Sequence, residues 1–266
     1  MSDEWNRLAD ALREAIESVV GGRQEEKAFP PAGIDGFLSH FVFTLRINKG
    51  DFEDEILSYS WPAAIQTVVR SDPFIYEGPE AEHRVEFLLP EESSLPPKLT
   101  EVDFMAVPPR FFESGKETIW LQILNLDARG ETEYGPIRCI LGETFRRDYP
   151  DIFQPSFGAV QSLHGRGLPG RLFFSPNGIF ETPFGAFHTR PKILLGTKID
   201  SIPPIGSNPS LLGPIPLDSV DDLRANPGIQ PEVPGATLVA LAHPLDAQLQ
   251  GEDLFGLVET SIARPS

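Results

Sequence analysis

The stretch Phe37-Leu38-Ser39-His40-Phe41-Val42-Phe43-Thr44-Leu45-Arg46-Ile47 decides the fold. It is rich in β-formers and dense in phenylalanine, and at Gly36 just before it the chain leaves a helical pattern for a strand pattern. Upstream, Trp5, Leu8, Ala9, Leu12, Ala15, Ile16, Val19 and Val20 recur at helical spacing. Ser2 caps that helix, Asp3 and Glu4 suit the positive end of its dipole, and Gly21-Gly22 stops it. Arg23 to Pro31 then reads as a charged tether. The expected organisation is an amphipathic N-terminal helix and tether over 1–31, followed by a single β-rich domain over 32–266. The helix packs on that domain or docks on another subunit.

Downstream, strands are expected over Glu82–Leu89, Glu101–Val107, Thr118–Leu126, Ile193–Thr197, Thr237–Ala242 and Leu254–Val258. Asp51 to Val69 reads as a helix interrupted at Pro62. Two hairpins are expected. Asp127-Ala128-Arg129-Gly130 joins the strand ending at Leu126 to Ile137–Leu141. Ser175-Pro176-Asn177-Gly178 joins Arg171–Phe174 to Ile179–Thr182. Residues 201–236, rich in Pro, Gly, Ser and Asn, read as a long loop wrapping the body, with a short helix near Ser219–Ala225. Strands follow one another without regular strand–helix alternation. The fold class is therefore mainly β (α+β), a sandwich or barrel with an external N-terminal helix.

Composition narrows the function classes. The chain of 266 residues carries 22 Lys+Arg against 39 Asp+Glu, a net charge of −17. Such an acidic balance argues against nucleic-acid binding and against anionic membrane surfaces. No apolar run approaches the ~20 residues that would span a membrane as a helix. The acidic start resembles neither a signal peptide nor a transit peptide. The single cysteine, Cys139, precludes an internal disulfide framework and sits in an apolar strand, as a buried structural thiol would. A cytoplasmic location is the expectation.

Against this acidic background, residues 129–200 hold nine basic and seven acidic residues. The contrast sharpens between His164 and Lys198. There Arg166, Arg171, Arg190, Lys192 and Lys198 accompany a single acid, Glu181, and five phenylalanines that include Phe184 and Phe187. Arginine beside aromatic faces suits carboxylate or phosphate recognition. The leading expectation is a non-catalytic binding or assembly protein that presents this strip to an acidic protein surface, to an anionic ligand or to its own subunits, without nucleic acid, membrane insertion or cofactor. The plainer account is core phenylalanine with basic residues paired to the protein's own acidic flanks.

Two alternatives stand beside it. One is an enzyme acting on a small anionic substrate in a β barrel, with His164, Glu181 and His188 holding iron or another divalent metal and Arg171 or Arg190 orienting the substrate. The other is a barrel carrying an apolar ligand, given the 19 phenylalanines. Further motifs carry less. Gly165, Gly167 and Gly170 have dinucleotide-loop spacing, but Pro169 interrupts them and no helix follows, so a turn is expected. Glu143, Asp148 and Asp151 around Arg146-Arg147 offer acid–base groups or, more simply, a solvated turn with local ion pairs.

Overall fold

Along the first strand, β1 (Gly33–Ile47), the odd-numbered side chains Asp35, Phe37, Ser39, Phe41, Phe43, Leu45 and Ile47 are buried, while His40, Val42 and Arg46 are exposed. Period-two burial of this kind belongs to a strand with one face on a core. The computed structural model describes residues 27–78, 87, 89, 112–189, 195–211, 213–229 and 231–249. The expected N-terminal helix and the strands expected over 101–107 and 254–258 lie outside the described residues, as does most of the one expected over 82–89. Of the tether, Lys27 bridges to Leu168 and Phe29 is buried.

Among the described residues, thirteen further strands and two short helices follow. They are β2 (Ile56–Arg70), β3 (Phe74–Tyr76), β4 (Lys116–Thr132), β5 (Gly135–Gly142), α1 (Glu143–Asp148), β6 (Phe157–Ser162), β7 (Gly170–Ser175), β8 (Gly178–Thr182) and β9 (Gly185–Thr189). Then come β10 (Leu195–Ile199), β11 (Ser210–Leu211), β12 (Ile215–Ser219), α2 (Val220–Ala225), β13 (Ala236–Ala242) and β14 (Leu245–Leu249).

The pairings close on themselves. β13, β1, β2 and β4 are consecutive neighbours and form a shared wall. From the C-terminal half of β4 one arc runs β5–β8–β9–β12 back to β13. From its N-terminal half a second arc runs β6–β7–β10–β11 back to β13. The result is a closed antiparallel barrel, which is what the mainly β expectation required at the coarse level. Closure satisfies edges that would otherwise be left unpaired.

Several local expectations are corrected. Asp51–Val69 is not a helix: β2 runs through it with Leu57 and Trp61 buried. Pro62 falls where Trp61 faces Phe41 and Ala64 faces Ser39, so Pro62 and Ala63 together span the place of His40. A bulge is one of the few places where a strand tolerates proline. The expected turn at Asp127–Gly130 lies inside β4, and the chain turns instead between Thr132 and Gly135. The second expected hairpin is not one, because β7 and β8 do not pair with each other. Pro176-Asn177 carries the chain from one arc to the other. Residues 201–236 contain β11, β12 and α2 rather than a continuous loop, and α2 falls where the short helix was expected.

Helix α1 covers the outside of the barrel. Phe145 is fully buried among Ile140, Ile179 and Val220. Gly142 makes this possible: its φ is +67°, and a Cβ there would meet Leu124 O at 2.2 Å. Only glycine tolerates both conditions. Among the described residues no helix is long and apolar enough to cross a membrane.

Candidate functional site

The described strands of the basic strip are wall, not display. On β7, Leu172 and Phe174 point into the barrel while Arg171 and Phe173 point out. Arg171 is buried and donates to Glu113 at 2.9 Å, and Gln161 holds the backbone of Glu113 through 2.8 and 3.1 Å hydrogen bonds. Arg171 therefore clamps the chain around Glu113 onto the outer face. Lys198 pairs with Asp200 at 3.3 Å, and Arg166 is exposed. Phe187 is buried in the barrel core, and Phe184 packs on Phe52 and Tyr134 at the β8–β9 turn. Arg190 and Lys192 lie outside the described residues.

The metal set does not assemble. His164 is exposed in the loop after β6. Glu181 faces outward on β8, accepting from the Tyr149 hydroxyl at 2.7 Å and lying 3.7 Å from Arg138. His188 is buried on β9 against Phe145, its strand partner across β8 being Ile179 rather than Glu181. Among the described residues no three His, Cys, Asp or Glu side chains are grouped to hold a metal ion. The reason is the barrel: residues close in sequence are dealt to different heights and faces of the wall.

The acidic residues near α1 form an outer ion network. Arg138 donates to Asp127 at 2.7 and 2.8 Å and to Asp148 at 3.0 Å, while Arg224 bonds Asp151 at 2.8 and 3.1 Å. Burial raises the Asp127 pKa, but hydrogen bonds from Arg138 and Arg129 outweigh it and hold the carboxyl down to about 2. A carboxylate held so firmly ionised is a poor general acid at neutral pH.

A concave feature lies inside the barrel. An apolar cavity opens between β1, β2 and β4 on one side and residues of both arcs on the other. Its walls include Phe37, Phe41, Val68, Leu121, Val160, Leu172, Phe174 and Phe180. Its volume, taken as the space open to the centre of a water-sized sphere, is about 70 Å³. The segment Ile202–Pro209 supplies Ile202, Pro204 and Pro209 to one side, where β10 and β11 pair over two residues and β11 meets β13 through one.

Few polar groups reach this space, and most are satisfied. Asp35 pairs with Arg70, which also donates to Pro31 O at 2.7 Å. Thr189 Oγ1 accepts from Gly178 N at 2.8 Å. Burial drives the Cys139 thiol pKa well up, so the thiol stays protonated, as a structural cysteine would. His243 Nε2 lies 2.7 Å from Ser39 Oγ, which itself lies 3.2 Å from Ala64 O. Burial pushes the His243 imidazole down to about 4, with Asp246 opposing, so it is neutral at physiological pH. Gln66 is an exception, its Oε1 being buried without a partner. Sequence reasoning found none of Gln66, Ser39 and His243. The available signal was polar residues at inward-phase positions of apolar strands.

No family model matches the chain, and neither does any curated protein. Among solved structures the chain is similar to that of DynF from the dynemicin biosynthesis pathway of Micromonospora chersina. The TM-score is 0.52 at 17% identity, covering 88% of this chain and 89% of that one. The likeness is one of fold and extends over nearly the whole barrel. Within 164–198 the four described strands β7, β8, β9 and β10 are barrel wall, and together with this likeness of fold that overturns the expectation of a non-catalytic assembly protein built on a displayed strip.

Proposed function

We propose that this protein binds a small, largely apolar molecule inside its barrel. The observation that carries the reading is the cavity itself: an apolar space walled by phenylalanine, leucine and valine above a floor of stacked aromatic rings. Cores normally close such space, because every unfilled volume forfeits contacts, and apolar concavities with a few polar groups are the usual setting for small ligands. An anionic substrate fits less well: the described cation nearest the lining, Arg70, is committed to Asp35. DynF, similar in fold, comes from the dynemicin biosynthesis pathway, and a small-molecule ligand for this barrel is consistent with that likeness.

The test is binding of N-phenyl-1-naphthylamine, an uncharged apolar fluorophore. Wild-type protein should enhance its emission saturably. Val160→Phe, placed on β6 and facing the cavity, should weaken binding at least about tenfold while unfolding in one cooperative step. No enhancement with wild type, or unchanged affinity in Val160→Phe, would overturn the reading. One observation favours chemistry on the bound molecule: the neutral imidazole of His243 lines the cavity, held by Ser39. Mass analysis of probes recovered after incubation reads such conversion directly.

A further inference from the structure

We infer that the ligand carries an uncharged hydroxyl and that Gln66 receives it; this inference rests on the cavity reading above. Gln66 stands on β2 opposite Phe37, with its side chain in the inward phase and 4% exposed. It lines the cavity, and its Oε1 has no hydrogen-bond partner. A buried acceptor left unpaired costs about 1–3 kcal/mol; of several such buried atoms among the described residues, Gln66 Oε1 is the one whose residue lines the cavity.

The neighbouring polar groups are occupied with one another. On β1 the inward positions flanking Phe37 are Asp35 and Ser39. Asp35 is taken by Arg70, and Ser39 by His243 and Ala64. The polar stripe on this wall is therefore internally satisfied except at Gln66. Gln66 faces a space walled mostly by hydrocarbon, whose other polar groups Asp35, Thr189 and His243 are already bonded, so the complementary molecule is an apolar body with one donor. Charge is disfavoured on two counts. The carboxylate in the lining, Asp35, is already paired with Arg70, and apolar walls penalise any ion brought from water.

Three probes of similar length separate the possibilities: octan-1-ol, its isomer 1-methoxyheptane, which lacks the donor, and octanoate, which is charged. Each is titrated as a displacer of N-phenyl-1-naphthylamine from wild type and from Gln66→Leu. Wild type should prefer the alcohol over the ether by about five- to tenfold, the worth of one net hydrogen bond, and should bind octanoate more weakly than the alcohol. Gln66→Leu should bind alcohol and ether equally and melt at or above the wild-type temperature, because it removes an unpaired polar atom. Gln66→Met serves as a second variant of similar shape. Failure of the fluorophore itself to bind would overturn the cavity reading. Fluorophore binding combined with equal affinity for alcohol and ether in wild type would overturn this inference alone. So would a preference that survives in the variants, tighter binding of octanoate, or a large fall in melting temperature in both variants, which would make Gln66 structural.

Discussion

The two ends of the barrel interior follow one pattern and reach opposite outcomes. At the lower end, Phe43, Leu45, Leu57 and Trp61 fill the space. Trp61 stacks on Phe41 at 5.0 Å and on Phe43 at 5.2 Å, and Phe43 meets Phe180 at 5.2 Å. At the upper end the same inward phase supplies Asp35, Ser39, Gln66 and His243 among its hydrophobic residues, and the centre stays open. Phe41 and Phe180 are the boundary, lining the cavity above and resting on the stacked aromatics below. The lower end acts as a rigid floor and the upper end as a receptacle. Apolar alternation alone does not separate them: filling depends on whether side chains from opposite walls meet.

That contrast can be broken in three ways. The largest expected effect is Phe43→Ala, which removes a fully buried ring from the floor. It should cost about 3–5 kcal/mol in urea unfolding yet leave the preference for alcohol over ether intact. Loss of that preference would mean that the two ends are not separable. Acid comes next. Burial holds His188 and His243 at about 4, opposed by Asp218 and Asp246 respectively. Both folded values lie below the usual histidine range, so the unfolded chain binds protons first. Stability should be whole above pH of about 6.5 and fall as pH drops towards 4, on the order of 3 kcal/mol per imidazole. Replacing His243 by Phe should remove one share, that of the cavity end; urea titrations across this pH range measure it. The smallest is Arg138→Met on the outer wall. It removes one of the two arginines that hold Asp127, leaving Arg129, and should cost about 1–2 kcal/mol, with fluorophore affinity unchanged because the network faces away from the cavity.

Legibility in the sequence varied with how local the determining interactions were. β1 could be read from its own residues, and β4 and β13 nearly so, because a half-buried strand advertises itself by composition. The turns were misread for a specific reason. Asp127–Gly130 and Ser175–Gly178 contain turn-forming residues, yet the hairpins turn at Thr132–Gly135 and Thr182–Gly185. In both, the threonine hydroxyl donates to the glycine carbonyl and accepts the N–H of the residue before that glycine. Gly130 is needed instead beneath Tyr59, where a Cβ would come within 2.5 Å of the ring. Its conformational freedom was the wrong clue, and its lack of bulk was the relevant property.

The basic strip shows the same limit. Its charge contrast is a count and stands, yet charge count carries no direction. Arg171 points outward into an ion pair with Glu113, 58 positions away in the chain, and Phe174 points inward to the cavity. By itself the sequence determined that the chain would form a mainly β body with enough aromatic mass to fill a barrel, since composition and strand-forming stretches are properties of short segments. Only the tertiary structure decided which walls face each other, and hence which residues share the cavity. Gln66, Phe174 and His243 come from strands or loops far apart in sequence, and closing the ring brings them to one enclosed space. An unfilled centre has no signature in any single strand, because it arises from the distance between walls.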